Sequence, residues 1–392
     1  MKLILNDKTN KPAPNIENFS KEIAEEVRAF HKTFPEYNVT PLVKLSDLAK
    51  KLGVKDIYVK DESKRFNLNA FKVLGGSYAI GKEMESFLNL GKDELSFEAL
   101  TNKKAAEKIK KLTFVSATDG NHGRGVAWTA KRLGAHAVIY MPKGSAKERY
   151  DNIIATGSEC YITDQNYDDS VRLATKTANE KENCILVQDT AFGDYIDIPL
   201  HIMQGYMTMA LEAYESLGGA IPTHIFIQAG VGSLAGAITG FFANVYKNNK
   251  PVIVTVEPNN AACIYKSGEK NDGKPHFVKG ALKTIMAGLS CGEPCSIAYE
   301  VLNYYADAYL KMGDGVAKKA MRLLAYPVGN DEKIVSGESG CAGFGAAVEI
   351  IKNYPELKKK LGIDKNSVML FFSTEGDTDK ENYQKIVAKK GK

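Results

Sequence analysis

The sequence predicts an α/β protein with open, mostly parallel sheets and helices on both faces. Three observations carry that expectation. Strand-like apolar runs alternate with helical patterns from residue 113 to 187, as in right-handed βαβ units. The alternation resumes between residues 198 and 257. Several strands end in polar or glycine-rich turns, and open α/β sheets bind ligands beyond the carboxyl ends of their strands.

Composition sets the bounds. The 392 residues are 25% charged and 44% hydrophobic, ordinary usage that allows a sizeable core and roughly two to three domains. The net charge of +5 is spread along the chain, with no basic block interleaved with aromatics, so no nucleic-acid partner is expected. No apolar run approaches the ~20 residues of a membrane span. Leu3-Ile4-Leu5 is too short an apolar core for a signal peptide. A cytoplasmic protein without a membrane partner is the expectation. Cys160, Cys184, Cys263, Cys291, Cys295 and Cys341 are widely spaced, which favours free thiols over a disulfide scaffold. Cys291 and Cys295 lie close together, but no second pair completes a zinc site. The histidines show no metal-ligand spacing either, so no metal is expected.

Taken in order, residues 20–30 read as an amphipathic helix with Ile23, Val27 and Phe30 on one face. Residues 40–45 are extended, as the residue before Pro41 prefers. Residues 46–52 form a short helix with Ser46 as its cap and Gly53 as its stop. Residues 57–60 are a buried strand. The helical pattern over residues 71–88 puts Lys72 near a helix start. The Lys- and Glu-rich stretch 91–111 reads as a solvent-facing insertion and a boundary. The first alternating set has strands at 113–117, 137–141, 159–162 and 184–187, with helices at 124–133, 146–156 and 170–179. The second has helices at 198–217 and 234–246 and strands at 223–228 and 252–257. Residues 258–295 show little periodicity, and so long a loop is usually functional or disordered. Residues 297–310, 317–324 and 341–353 are helical, and 368–372 are a buried strand. The expected division is a larger unit of residues 1–85 and 193–392 around a smaller α/β unit of residues 86–192.

Lys72 stands among small and apolar residues in Asn69-Ala-Phe-Lys-Val-Leu-Gly-Gly-Ser77. Desolvation there is expected to lower its pKa, leaving free amine for a Schiff base with an aldehyde cofactor. The plain alternative is a lysine whose head reaches water. Gln228-Ala-Gly-Val-Gly-Ser-Leu-Ala-Gly236 lies between a strand and a helix. Its converging N–H groups and the helix dipole favour an anion. Read loosely, Gly230-x-Gly232-x-x-Ala235 with Glu257 at the ribose position is a dinucleotide fingerprint. Ser116-Ala-Thr-Asp-Gly-Asn-His-Gly123 opens a helix after a strand. Thr118 or Asp119 as an N-cap accounts for one polar residue there, not for Asp119, Asn121 and His122 together. Gln188-Asp-Thr190 and Ser373-Thr-Glu-Gly376 are further polar strand ends. Four strand ends and one helix-start lysine point to a single cleft between two units.

This set of motifs resembles the fold type II pyridoxal-phosphate enzymes, the tryptophan synthase β and threonine dehydratase group. Within that group it is most similar to the diaminopropionate ammonia-lyase family. The resemblance rests on Lys60-Asp-Glu-Ser63, Leu68-Asn-Ala-Phe-Lys-Val-Leu-Gly-Gly-Ser-Tyr78, Ser116-Ala-Thr-Asp-Gly-Asn-His-Gly-Arg-Gly-Val-Ala-Trp128, Gly230-Val-Gly-Ser233 and Ser373-Thr-Glu-Gly-Asp-Thr378. It implies two domains, a homodimer and pyridoxal 5'-phosphate as cofactor. Lys72 would carry the Schiff base, and Asn121 would hydrogen-bond the phenolic oxygen. The N–H groups of Gly230, Val231, Gly232, Ser233 and Leu234 would hold the phosphate. Ser373 or Thr374 would face the pyridine nitrogen, a neutral partner that suits β-elimination over transamination.

Asp119 stands where the dehydratase group commonly has a small residue, which implies a second base. Lys72 would take the α-proton of one isomer, by expectation L, and Asp119 that of the other. Asp189 would bind the substrate's second ammonium or assist its departure. Ala70, where many relatives have serine, removes a hydroxyl donor from that position. The implied activity is α,β-elimination of both isomers of 2,3-diaminopropionate, through an aminoacrylate, to pyruvate and two ammonia in amino-acid catabolism. The alternatives are a serine or threonine dehydratase of the same fold and a non-catalytic nucleotide-binding α/β protein.

Overall fold

The computed structural model describes residues 1–9, 11–91 and 93–388. Lys92, in the expected insertion, and residues 389–392, in the expected larger unit, lie outside the described residues. The strands are β1 (Lys2–Leu5), β2 (Leu42–Lys44), β3 (Asp56–Asp61), β4 (Thr113–Ala117), β5 (His136–Met141), β6 (Glu159–Ile162), β7 (Cys184–Leu186), β8 (His224–Gln228), β9 (Val252–Pro258), β10 (Ala308–Met312) and β11 (Val368–Ser373). They form a seven-stranded sheet in the order β1-β10-β9-β8-β11-β3-β2 and a four-stranded sheet in the order β6-β5-β4-β7. The small sheet is parallel throughout. The large one is parallel except at its edges, where β1 and β2 run antiparallel to their neighbours.

Strands buried on both faces read as continuous apolar runs. Every residue of β8 and β11 is buried. Side-chain alternation then splits them between two cores. Ile225, Ile227, Leu370 and Phe372 face a cluster that continues to Phe114 and Ile139 of the small sheet. Phe226 and Phe371 face a second cluster, with Leu324 and Phe344 from the helices Asp314–Ala325 and Ala342–Asn353.

Chain order places the site. After β4 the chain builds β5 and β6 on one side, then returns to lay β7 on the other side of β4. After β8 it builds β9 and β10, then returns to lay β11 on the other side of β8. Each reversal opens a crevice at the carboxyl ends of the two strands that flank it. The helices Val73–Leu88 and Asp197–Ser216 pack between the sheets, and two glycines let their backbones touch. A Cβ on Gly205 would overlap the Leu74 carbonyl oxygen, and one on Gly75 would stand 2.9 Å from the Ile202 oxygen.

Four expectations need correction. Ser46 does not cap the helix Ser46–Leu52. Asp331, distant in sequence, accepts from the N–H groups of Asp47 (2.9 Å) and Leu48 (2.8 Å) instead. The helix read over 297–310 is the helix Ser296–Tyr305 followed by β10. No glycine or proline separates the two, so the change of period is hidden. The stretch 258–295 contains the helix Cys263–Lys270. The insertion at 91–111 folds as the helices Phe97–Thr101 and Lys103–Ile109 and buries Leu100, Ala105 and Ile109.

Candidate active site

Lys72 sits at the N-terminal boundary of the helix Val73–Leu88. The chain approaches it through Phe66, Asn67 and Asn69, whose φ angles of 48°, 58° and 57° lie in the left-handed region. Asparagine tolerates that conformation; phenylalanine is strained in it. Neighbouring bonds hold the segment. Phe71 N–H donates to Thr374 O (3.0 Å), Gly376 N–H to Asn69 O (3.0 Å) and Asn69 Nδ2 to Asp377 Oδ1 (2.9 Å). The segment carrying Lys72 is thus laced to the end of β11. Just upstream, the fully buried Arg65 is satisfied by Glu62 (2.8 Å) and Glu212 (2.7 Å), and Glu212 also pairs with buried Lys60 (2.6 Å).

The Lys72 ammonium pairs with the Asp189 carboxylate. This corrects the expectation of a lowered lysine pKa. Burial is the largest single influence and pushes it down, but the charge and hydrogen bond of Asp189, with Tyr206 and Asp119, together outweigh burial and hold Lys72 above its ordinary value. Burial likewise pushes the Asp189 carboxyl up, and Lys72 and the surrounding hydrogen bonds outweigh it, holding Asp189 well below the usual range. Tyr167 Oη donates to Asp189 Oδ1 (2.9 Å), and Ser233 Oγ donates to Asp189 O (2.5 Å). Asp189 follows β7 and Ser233 follows β8, so this contact joins the two crevices.

The turn after β4 supplies Asp119, Asn121 and His122. Neither Thr118 nor Asp119 caps the helix Asn121–Leu133; Thr118 Oγ1 accepts from Gly120 N–H (2.9 Å) and closes the turn. Asp119 is free for other work, and burial lifts its carboxyl above the ordinary range against the pull of Arg149 at 3.0 Å. Asn121 Nδ2 donates to Glu375 Oε2 (2.5 Å), which fixes the amide's rotation. His122 Nε2 donates to the Val187 carbonyl (2.9 Å), so its buried Nδ1, which has no partner among the described residues, is a bare acceptor.

After β8 the chain forms an anion cradle. Among the described residues no side chain caps the helix Ser233–Tyr246, so the N–H groups of its first turn are open. Gly232 has φ 102°, which L side chains rarely adopt. A Cβ on Gly230 would stand 3.0 Å from Gly288 O and 3.2 Å from Cys291 Sγ. The backbone there is bare by construction. Glu257 is not available to a ribose. It is buried and accepts from the N–H groups of Ile264 (2.8 Å) and Tyr265 (2.6 Å), opening the helix Cys263–Lys270. This removes the dinucleotide reading.

At the end of β11, Thr374 lines the cavity with the residues above. Its Oγ1 accepts from Gln228 Nε2 (2.9 Å), leaving its own proton to donate. Ser373 is not brought to the cavity. Successive strand residues face opposite ways, and its Oγ donates to Ser336 Oγ (2.7 Å). The structure therefore gathers Lys72, Asp119, Asn121, Asp189, Gly230, Val231, Gly232, Ser233, Leu234 and Thr374 on one cavity. Sequence reasoning missed Tyr167, Cys291, Ser339 and Glu375 on its wall and Arg149 behind Asp119. Only the polar strand-end position of Glu375 signalled one of them.

These groups fit a phosphorylated aromatic aldehyde: a lysine for the aldehyde, bare N–H groups for the phosphate, an amide for a phenolic oxygen and a hydroxyl for a ring nitrogen. Comparison with known proteins agrees. The family described as pyridoxal-phosphate dependent enzyme matches residues 33–374. The chain is 49% identical over 371 residues to the diaminopropionate ammonia-lyase of Salmonella typhimurium, covering 93% of this chain and 92% of that one. The holo diaminopropionate ammonia lyase of Escherichia coli superposes with a TM-score of 0.91 at 46% identity, covering 98% of this chain and 96% of that one. The Escherichia coli enzyme in complex with an aminoacrylate-PLP azomethine reaction intermediate gives a TM-score of 0.90 at 45% identity, with the same coverage.

Proposed function

The chain belongs to the diaminopropionate ammonia-lyase family of pyridoxal-phosphate-dependent enzymes, and from that premise we propose that it converts both D- and L-2,3-diaminopropionate, with one water, to pyruvate and two ammonia. Pyridoxal phosphate, when bound, supplies the electron-accepting ring that stabilises charge at the substrate's α-carbon. Lys72 would attach to its aldehyde carbon, and the N–H groups of Gly230 to Leu234 would hold its phosphate. Asn121 would hydrogen-bond its phenolic oxygen, and Thr374 would donate to its ring nitrogen.

The chain's own groups divide the proton work. The Lys72 amine takes the α-proton of the L isomer. Asp119, whose carboxyl is lifted by burial, takes that of the D isomer. Asp189 stays ionised at neutral pH and holds the substrate's β-ammonium until it leaves. The observation that carries this reading is the presence of Asp119 on the same cavity as the Lys72–Asp189 pair. We carry three further readings with it: a homodimer, a cytoplasmic location, and residues 86–192 as the smaller of two domains.

Nitrogen bookkeeping tests the reaction. Purified protein given diaminopropionate should release two ammonia per pyruvate, measured enzymatically on one sample. A ratio of one would refute loss of both nitrogens.

A further inference from the structure

One buried amide decides where the proton of Thr374 can go. Gln228 ends β8, and its side chain reaches across to the end of β11. Its Nε2 lies 2.9 Å from Phe372 O, 3.0 Å from Gly340 O and 2.9 Å from Thr374 Oγ1. The two carbonyls only accept, so the amide nitrogen must stand at this point; its oxygen would meet both of them in repulsion. The amide keeps this direction although its buried Oε1, on the other side, has no partner among the described residues. An amide nitrogen has no lone pair to offer, so Thr374 cannot donate to it. Among the described residues the Thr374 hydroxyl accepts from Gln228 and donates to nothing. Thr374 lines the cavity, and its proton is left to point there.

We propose that Gln228 is a positioning residue that aims the Thr374 proton at the cofactor's ring nitrogen and so keeps that nitrogen unprotonated. The inference rests on the reading that Thr374 faces the ring nitrogen. A hydroxyl can meet a ring nitrogen in two ways. It donates to a bare lone pair, or it accepts from a protonated ring. Donating favours the neutral ring, and accepting favours the charged one. Gln228 offers a proton and no lone pair, so it selects the first arrangement. An unprotonated ring is the weaker electron acceptor, which suits elimination over transamination. Gln228 therefore acts on reaction specificity through Thr374. The titratable groups on the same wall, Lys72, Asp119, His122, Tyr167, Asp189, Cys291 and Glu375, stay in place when Gln228 alone is changed. Comparison of variants at this position therefore isolates the direction of the hydroxyl.

The test is the nuclear magnetic resonance signal of pyridoxal phosphate, isotopically labelled at its ring nitrogen and bound to the protein, followed from about pH 6 to 9. In wild type the signal should stay at the unprotonated position throughout. Gln228→Glu puts an oxygen, which can accept the Thr374 proton, where the amide nitrogen stood. Gln228→Met adds no charge and leaves the two carbonyls without their donor, so they compete for that proton. In both variants the signal should move toward the protonated position, further as pH falls. A signal that matches wild type at every pH overturns the proposal, and so does a protonated ring in wild type. A merely structural role would lower the amount of cofactor bound and leave the bound signal where it was. If one variant does not fold, the other carries the same expectation and the same overturning results. Thr374→Val separates the two readings. An unchanged signal there refutes the placement of Thr374 at the ring nitrogen. A signal changed there but unchanged in the Gln228 variants refutes the role of Gln228 alone.

Discussion

Asp119 and Lys72 take their properties from partners far away in sequence. Arg149 at 3.0 Å opposes the burial that lifts Asp119, and Asp189 leads the groups that together outweigh burial at Lys72. Asp119→Asn keeps the shape and removes the base. It should lower kcat/KM for the D isomer roughly 100-fold or more, the usual worth of a general base, and leave the L isomer nearly unchanged. Steady-state kinetics on separated isomers check this, and equal losses would contradict it. In wild type, the acid limb for the D isomer should lie above the ordinary aspartate value of about 3.9, because burial makes Asp119 hold its proton to higher pH. Lys72, Asp119, Asn121 and Asp189 were legible because each sits in a motif beside a predicted strand end or helix start. Glu375 was not assigned. Glu375 meets Asn121 across 254 positions, so nothing local signals the pair.

At the scale of elements, the approach of the helices Val73–Leu88 and Asp197–Ser216 sets where Lys72 points. Gly205→Ala would place a methyl on the Leu74 carbonyl oxygen. Neither backbone can yield cheaply, so the loss should be about 1–3 kcal/mol or more, read from urea unfolding midpoints. His31 ties a third helix, Lys21–Lys32, to this pair through Thr208 Oγ1 (2.7 Å) and Leu74 O (3.0 Å). Burial holds its pKa down to about 3, against an ordinary 6.5. Below pH 6.5 the unfolded chain takes up a proton that the folded chain refuses, so His31 costs stability as pH falls from about 6.5 toward 3. The fall in urea midpoint between pH 7 and pH 5 should be larger in wild type than in His31→Gln, and equal falls would contradict it. The βαβ alternation of residues 113–187 was legible because apolar runs of parallel strands stand out against amphipathic helices. β10 was not, because Ala308-Tyr-Leu-Lys-Met312 follows a helix without a breaking residue. The cap on Ser46–Leu52 was hidden because Asp331 supplies it from 284 positions away.

The whole molecule is two sheets that each reverse direction once. β4 and β7 present Asp119, Asn121 and Asp189; β8 and β11 present the anion cradle and Thr374. The bond from Ser233 to Asp189 O stitches the two crevices into one cavity, and the helix between the sheets delivers Lys72 to it. That convergence was readable as four strand ends and one lysine, while the distances and charge balance needed the folded chain. If the expected homodimer holds, light scattering should give twice the 42.9 kDa chain mass, and a single-chain mass would refute it. The proposed reaction is an elimination that serves both isomers of a diamino acid. Pyruvate release by the purified protein, followed separately with L-diaminopropionate, D-diaminopropionate and serine, tests it most directly. Release is expected from both diaminopropionate isomers at rates well above that from serine; release from serine alone would refute the assigned reaction.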